Sequence, residues 1–334
     1  MTKHSNVSIF VPHIGCPNKC AFCDQHVISG TQKAPSADDV RRICEQAANE
    51  ISDRKNAEIA FFGGSFAAIP RSYMTELLEA TKGFVGESGF KGIRISTRPD
   101  CIDGEILEIL KKYGVTAIEL GAQSMSDEVL TANDRGHNAQ SVADASRLIK
   151  EFGFELGLQM MMGLYKSSEQ KERETLRRII ALRPDTVRIY PVVVLEGTKL
   201  AELYKSGEYE LMPFEKIVSL CAEFLDEFEE QGIRVIKCGL HASDGVDGER
   251  IAGYYHPAFR ELCESERYRK LIEDIFAEEH IVSGNVTLSV AAPCISRAAG
   301  HKKCNTEYFR NKGINITFVG DDGQTEKIKV KERR

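Results

Sequence analysis

A chain of 334 residues, 42% hydrophobic and 28% charged, has room for one large α/β domain or a barrel with an appendage, and its composition excludes a disordered or low-complexity protein. A formal charge of −6, from 44 Lys+Arg against 50 Asp+Glu, does not mark the whole surface for nucleic acid or anionic membrane. No apolar run approaches the ~18 residues of a membrane span, and Met1 to Asn6 shows no basic segment leading into an apolar one. The expectation is a cytoplasmic protein with no membrane partner, whose ten cysteines are reduced and free to bind metal or to pack.

The first strand expected is Val7–Pro12. It leads directly into Gly15-Cys-Pro-Asn-Lys-Cys-Ala-Phe-Cys-Asp-Gln-His26, a loop with three cysteines spaced C-x3-C-x2-C. Loops at the carboxyl ends of strands are where α/β barrels build their sites. Three soft thiolates on one short loop, Cys16, Cys20 and Cys23, can hold three corners of an iron–sulfur cube and leave one iron open to a ligand carrying an amine and a carboxylate. His26 keeps a second reading open, a tetrahedral zinc site of three cysteines and one histidine. The other seven cysteines form no close pairs in sequence, and most are expected to pack as small buried hydrophobes.

Further strands are expected at Glu58–Phe62, Gly92–Ser96, Ala117–Leu120, Glu155–Met161, Thr186–Pro191 and Arg234–Lys237, each too apolar to be half exposed. Gly63 and Gly64, with Ser65 next, follow the second strand, where bare backbone can approach a ligand closely. Amphipathic helices lie between strands. Asp103–Tyr113 carries Ile106, Leu107, Ile109, Leu110 and Tyr113 on one stripe with Asp103 as its N-cap, and Phe214–Glu230 follows Pro213 with Ile217, Leu220, Cys221, Phe224, Leu225 and Phe228. Six or seven βα units in ~240 residues favour a partial or full (β/α) barrel, with an open doubly wound sheet as the alternative.

The rhythm breaks at the turn-rich stretch 239–248. Beyond it the pattern predicts a helix at Phe259–Ala277, a strand at Asn285–Ala291, one or two helices over Pro293–Lys312, and a hairpin of Ile314–Val319 with Lys327–Val330 turning at 321–323. The fold class expected is therefore α/β, with a barrel core at 1–244 and a small C-terminal α+β region at 245–334.

The cysteine loop, with Phe22 just before its last cysteine, resembles the radical S-adenosylmethionine (SAM) signature. The resemblance implies a barrel of the radical-SAM type. In it a [4Fe–4S] cluster on Cys16, Cys20 and Cys23 takes an electron from a flavodoxin- or ferredoxin-type donor and passes it to SAM chelated at the open iron. The products are methionine and a 5′-deoxyadenosyl radical, which abstracts hydrogen from a substrate or adds to it. Phe61-Phe-Gly-Gly-Ser-Phe66 resembles the family's glycine motif for the amino group of SAM, with Ser65 where an acidic residue is usual, so the backbone of Gly63 and Gly64 is the expected contact.

Ser96-Thr-Arg-Pro-Asp100, Glu119-Leu-Gly-Ala-Gln-Ser124, Asn133-Asp-Arg-Gly-His137 and the stretch Arg188 to Leu200 resemble the radical domain of the Elongator catalytic subunit. By position, Gln123 and Arg135 are similar to residues that contact SAM, the guanidinium fork suiting the methionyl carboxylate. Gln159 aligns with a ribose-contacting position that is often acidic. His137 and His241 are given no role. The likeness covers roughly Val7 to Asp244, and it departs from the Elongator pattern in two ways: those subunits have a longer insertion between the first two cysteines, and they carry an acetyl-CoA-binding acetyltransferase domain, for which no pyrophosphate loop is recognised after Gly245.

Three functions are therefore expected to compete. The first is a radical enzyme modifying tRNA at a wobble uridine, for which the basic Arg297, His301, Lys302, Lys303, Arg310 and Lys312 speak. The second is the same chemistry on a small metabolite or peptide. The third is a non-catalytic zinc or iron–sulfur module.

Overall fold

The computed structural model describes residues 5–12, 14–16, 19–31, 33–240, 244–321, 323 and 327–333. His241 and the middle of the expected 321–323 turn lie outside them. The chain forms two compact units: Met1–Leu211 with Gln231–Lys237 and His241–Tyr255, and Met212–Glu230 with Cys238–Leu240 and His256–Arg334. Residue 244 thus falls inside the first unit. The helix Phe214–Glu230, expected in the barrel core, belongs to the second, because its apolar stripe packs on the helix Phe259–Glu278.

The first unit is a curled half-barrel of strands β1 (Ser5–Val11), β2 (Ala57–Gly63), β3 (Ile93–Thr97), β4 (Val115–Gln123), β5 (Glu155–Met162) and β6 (Thr186–Pro191) in sequence order; β7 (Val193–Leu195) lies outside it, and β8 (Arg234–Cys238) closes the series beside β6. Registered parallel pairing from β1 to β6 puts every carboxyl end on one rim. Several of the helices that return the chain start on a residue whose side chain accepts orphan N–H groups. Ser36 and Asp39 form a capping box on Ala37–Glu50, Asp103 accepts from the Ile106 N–H at the head of Gly104–Lys112 as its sequence predicts, and Asn138 caps Ala139–Glu151. A small second sheet pairs β7 with β9 (Arg250–Gly253).

The barrel interior is charged where the strand sequences read as apolar. Alternate residues of a strand share a face, and on β4 and β5 that face carries one pattern twice: Glu119-x-Gly121-x-Gln123 and Glu155-x-Gly157-x-Gln159. At the floor, Arg94 bonds Glu58 (2.8 Å), Glu119 (3.3 Å) and Glu155 (2.5 Å), while Arg188 forks onto Glu119 at 2.7 and 2.9 Å. The middle positions are glycines because a Cβ at Gly157 would sit 2.7 Å from Glu119 Cγ. Above them, Gln159 Nε2 donates to Glu119 (2.8 Å) and to Ser96 (3.2 Å), so the ion-pair floor holds a side chain of the rim.

A further buried acid of the first unit lies outside this network. Glu172, on the helix Glu169–Ala181, accepts the Gly163 N–H and the Ser167 hydroxyl, both at 2.7 Å, yet burial pushes its carboxyl up to about 7. An acid whose folded pKa lies above its unfolded one stabilises the fold at low pH and loses that contribution as pH rises. From the ordinary 4.5 to about 7 the loss is about 3 kcal/mol. Urea melts across this window should show it as a difference between the native chain and Glu172→Gln; identical pH profiles would contradict it.

The second unit packs Phe259–Glu278 and Cys304–Asn311 on a sheet of β10 (Gly284–Val290), β11 (Ile314–Gly320) and β12 (Ile328–Arg333), around Ile272, Phe276, Leu288 and Phe309. The expected hairpin does not form. β10 lies between the other two strands, parallel to β11 and antiparallel to β12, because Val286, Leu288 and Val290 make it the most buried strand and its two neighbours cover its edges. The helical stretch expected over Pro293–Lys312 breaks into Ile295–Ala299 and Cys304–Asn311, where Lys302 (φ 51°) and Lys303 (φ 63°) adopt left-handed backbone.

Candidate active site

The loop after β1 is held from three sides. Its end is fixed by Asp24, whose carboxylate accepts the N–H groups of His26 (3.0 Å) and Val27 (3.2 Å) to cap the short helix Gln25–Ser29. Its middle is pinned through Ala21, whose N–H bonds Asn133 O (3.1 Å) and whose carbonyl accepts the Leu200 N–H (2.8 Å). Its start is pressed onto the turn after β2. Gly64 N–H bonds Val11 O at 2.7 Å, a Cβ on Gly64 would lie 2.2 Å from Ile14 O, and one on Gly15 would lie 2.3 Å from Ser65 O. The paired glycines serve close backbone approach, here of chain to chain.

The nine residues expected to hold the cluster and SAM line one cavity of about 110 Å³: Cys16, Cys20, Cys23, Gly63, Gly64, Ser65, Gln123, Arg135 and Gln159. They come from the carboxyl ends of β1, β2, β4 and β5 and from the loop that follows the helix Asp127–Ala132. Arg135 spans the cavity wall, donating from Nη1 to Cys20 Sγ (3.0 Å) and from Nη2 to Gly121 O (2.6 Å). Gln123 sits at a bulge in the β4–β5 register with φ 63°, a left-handed conformation that costs a non-glycine residue of order 1 kcal/mol. Ser65 Oγ bonds Thr97 Oγ1 (2.8 Å) and accepts the Arg98 N–H (3.0 Å), so its hydroxyl ties β2 to the turn after β3.

Sequence reasoning missed Arg98. It quoted Ser96-Thr-Arg-Pro-Asp100 for likeness alone, but Ser96, Thr97 and Arg98 line the cavity. Arg98 is 4% exposed and forks onto Asp100 at 2.9 and 2.6 Å. The signal was an arginine two residues before a carboxylate at a strand end, a pair that holds the guanidinium in one orientation. His137 lies among these charges; burial and the Arg135 guanidinium push its imidazole down to about 4, so it is neutral at physiological pH.

What the cavity suits follows from its loose ends. Arg98 Nη1, Arg135 Nε and Gln123 Oε1 are buried without a hydrogen-bond partner, two cationic donors and one acceptor. A ligand carrying a carboxylate and polar hydrogens would satisfy them. Burial, with Cys20 and Cys16 nearby, pushes the Cys23 thiol up to about 12, and burial also raises Cys16, so thiolates here call for a bound cation. Among the described residues, no three ligand atoms of Cys16, Cys20, Cys23 and His26 lie within 4.8 Å of one another, too wide for one tetrahedral zinc with sulfurs roughly 3.8 Å apart. The His26 ring instead bonds Thr31 O at 2.9 Å. The donor set fits a multi-iron cluster better than a single ion.

Comparison with known proteins agrees in fold and sequence. An uncharacterized protein of Methanocaldococcus jannaschii is 29% identical over 67% of this chain and 67% of its own length. A tRNA uridine(34) acetyltransferase of Dehalococcoides mccartyi is 27% identical over 65% of this chain, a stretch that spans only 55% of that relative. Among solved structures, the archaeal Elongator protein 3 of Methanocaldococcus infernus superposes with a TM-score of 0.57 at 18% identity, covering 84% of this chain and 64% of the other. No helix among the described residues is long and apolar enough to cross a membrane. The Radical SAM superfamily model matches residues 10–179 and a Radical SAM C-terminal domain matches 184–269, so the chain belongs to the radical SAM superfamily of enzymes.

Proposed function

We propose that the chain is a SAM-cleaving enzyme of the Elongator-like branch, acting on tRNA at a uridine. Cys16, Cys20 and Cys23 would hold a [4Fe–4S] cluster, and the backbone of Gly63 and Gly64 with Gln123, Arg135 and Gln159 would hold SAM. The observation that carries this reading is the convergence of these residues on one cavity with three unsatisfied buried polar atoms. When bound, cluster and cofactor together supply reductive cleavage of the sulfonium to methionine and a 5′-deoxyadenosyl radical, driven by an electron from a flavodoxin- or ferredoxin-type donor. The chain's own residues position and shield. Arg135 and Arg98 offer fixed cationic donors for a carboxylate, and Arg135 also holds Cys20. The Glu119 and Arg188 pair orients Gln159 from below.

The tRNA assignment is supported by the kinship with the tRNA uridine(34) acetyltransferase and by Arg297, Lys302, Lys303, Arg310 and Lys312, all exposed on the second unit. Anaerobic protein reconstituted with iron and sulfide, reduced and supplied with SAM should yield 5′-deoxyadenosine, and Cys20→Ala should yield none. Product that survives loss of Cys20 would remove the ligand assignment. Bulk tRNA should raise the yield above a tRNA-free metabolite extract, and tRNA binding should weaken steeply between low and moderate salt; salt-insensitive or absent binding would turn the reading to a small substrate.

A further inference from the structure

Outside the radical site, the described residues hold one other gathering of soft ligands. Cys221 on the helix Phe214–Glu230, Cys238 at the end of β8 and Cys263 on the helix Phe259–Glu278 place their sulfurs within 4.8 Å of one another. All three side chains are buried, at 0, 5 and 0% exposure. They come from separate elements, 17 and 25 positions apart, and all belong to the second unit.

We propose that Cys221, Cys238 and Cys263 form a binding site for a single thiophilic cation, zinc(II) or copper(I), that ties these three segments of the second unit together. The spacing discriminates between kinds of metal site. With metal–sulfur bonds of about 2.3 Å, one ion needs sulfurs roughly 3.8–4.0 Å apart, within the observed limit, whereas the sulfurs around an iron–sulfur cube lie well beyond it. The set offers three thiolates, and among the described residues no imidazole or carboxylate joins it, which selects soft cations that accept sulfur ligands over magnesium, calcium or manganese.

The surroundings hold the set in place. The two helices are registered by Arg267, which donates to Asp226 (2.6 Å) and to Glu229, and by Phe214 edge-on to Phe259 at 6.1 Å. This register sets Cys221 against Cys263. A soft cation binds the thiolate form of cysteine, so loading would displace the thiol protons and couple binding to the stability of this unit. Three thiolates leave a net charge of −1 with zinc(II) and −2 with copper(I), and of the charged groups packed beside them Glu264 is already held by Arg267 at 3.0 Å.

The test separates this site from the radical one. The full chain carrying Cys16→Ser, Cys20→Ser and Cys23→Ser, purified without oxygen and stripped of metal, is titrated with zinc alone or copper(I) alone against a chromophoric chelator. One equivalent per chain and an upward shift in Tm on loading are expected with at least one of the two ions. Adding Cys221→Ala or Cys263→Ala should remove both, with circular dichroism checking that the chain still folds. If those variants do not fold, the parent alone decides: no bound equivalent and no Tm shift with either ion overturns the proposal. Binding that survives in a folded Cys263→Ala chain, or iron taken up with sulfide at this place, overturns it equally.

Discussion

Arg94→Met is expected to lower the unfolding free energy by roughly 3–5 kcal/mol, the cost of removing one partner from a buried ion pair and leaving the other charge behind. Arg94 is 1% exposed and its guanidinium serves Glu58, Glu119 and Glu155 at once, so the variant would leave three carboxylates facing one another in the barrel floor. Burial alone would raise the Glu155 carboxyl, yet Arg94 and Lys91 outweigh it and hold the group below the ordinary 4.5. In the native chain this pairing therefore stabilises the fold above that pH and is lost on acidification. In Arg94→Met the sign should reverse, because Arg188 on Glu119 and the half-exposed Lys91, 3.8 Å from Glu58 and 3.3 Å from Glu155, leave two cations for three largely buried carboxylates, which then take up protons more readily in the fold than in the unfolded chain; the variant should regain stability as pH falls toward 5. Urea melts at two pH values check both the size and the sign. A loss below about 1 kcal/mol at neutral pH would mean that the floor relaxes or admits water.

Gly64→Ala is expected to leave the barrel folded while reducing iron loading and 5′-deoxyadenosine formation by about 100-fold or more. The new methyl would sit 2.2 Å from Ile14 O and 3.1 Å from Val11 O, both backbone atoms that cannot swing aside as a side chain would. The start of the cysteine loop has to move outward by about 1 Å, and displacements of that size cost reacting groups about two orders of magnitude. Gly83→Ala is the control, since a Cβ there meets nothing within 4 Å and its backbone is not left-handed. Iron content, sulfide content and deoxyadenosine yield report the effect, and a Gly64→Ala protein with native loading would show that the loop and the glycine turn are not interlocked.

How much of this could be read beforehand depended on whether the signal was local. The cysteine loop, the paired glycines and the Asp103 cap are short-range patterns, and each lies where its residues placed it. The charged floor was not read, although β4 and β5 repeat Glu-x-Gly-x-Gln, because an apolar count over a strand hides which residues alternate inward. The order of β10, β11 and β12 was misread for a related reason: adjacency in sequence suggested a hairpin, and only the relative burial of three strands decides which takes the centre. The gathering of Cys221, Cys238 and Cys263 depends on two helices and a strand end meeting, and no spacing in the sequence announces it.

The pin at Ala21 sets a timetable for the growing protein. The carbonyl of Asn133 and the amide of Leu200 that fix the cysteine loop are made after its thiols, the second about 180 residues on. At typical elongation rates of about 5–20 residues per second that is an interval of roughly ten to forty seconds. During it the loop of Cys16, Cys20 and Cys23 lacks the two backbone bonds at Ala21 that fix it in the finished fold. On the proposed cluster assignment, loading would follow translation, once the sixth strand and the helix beyond it are in place and the loop is fixed.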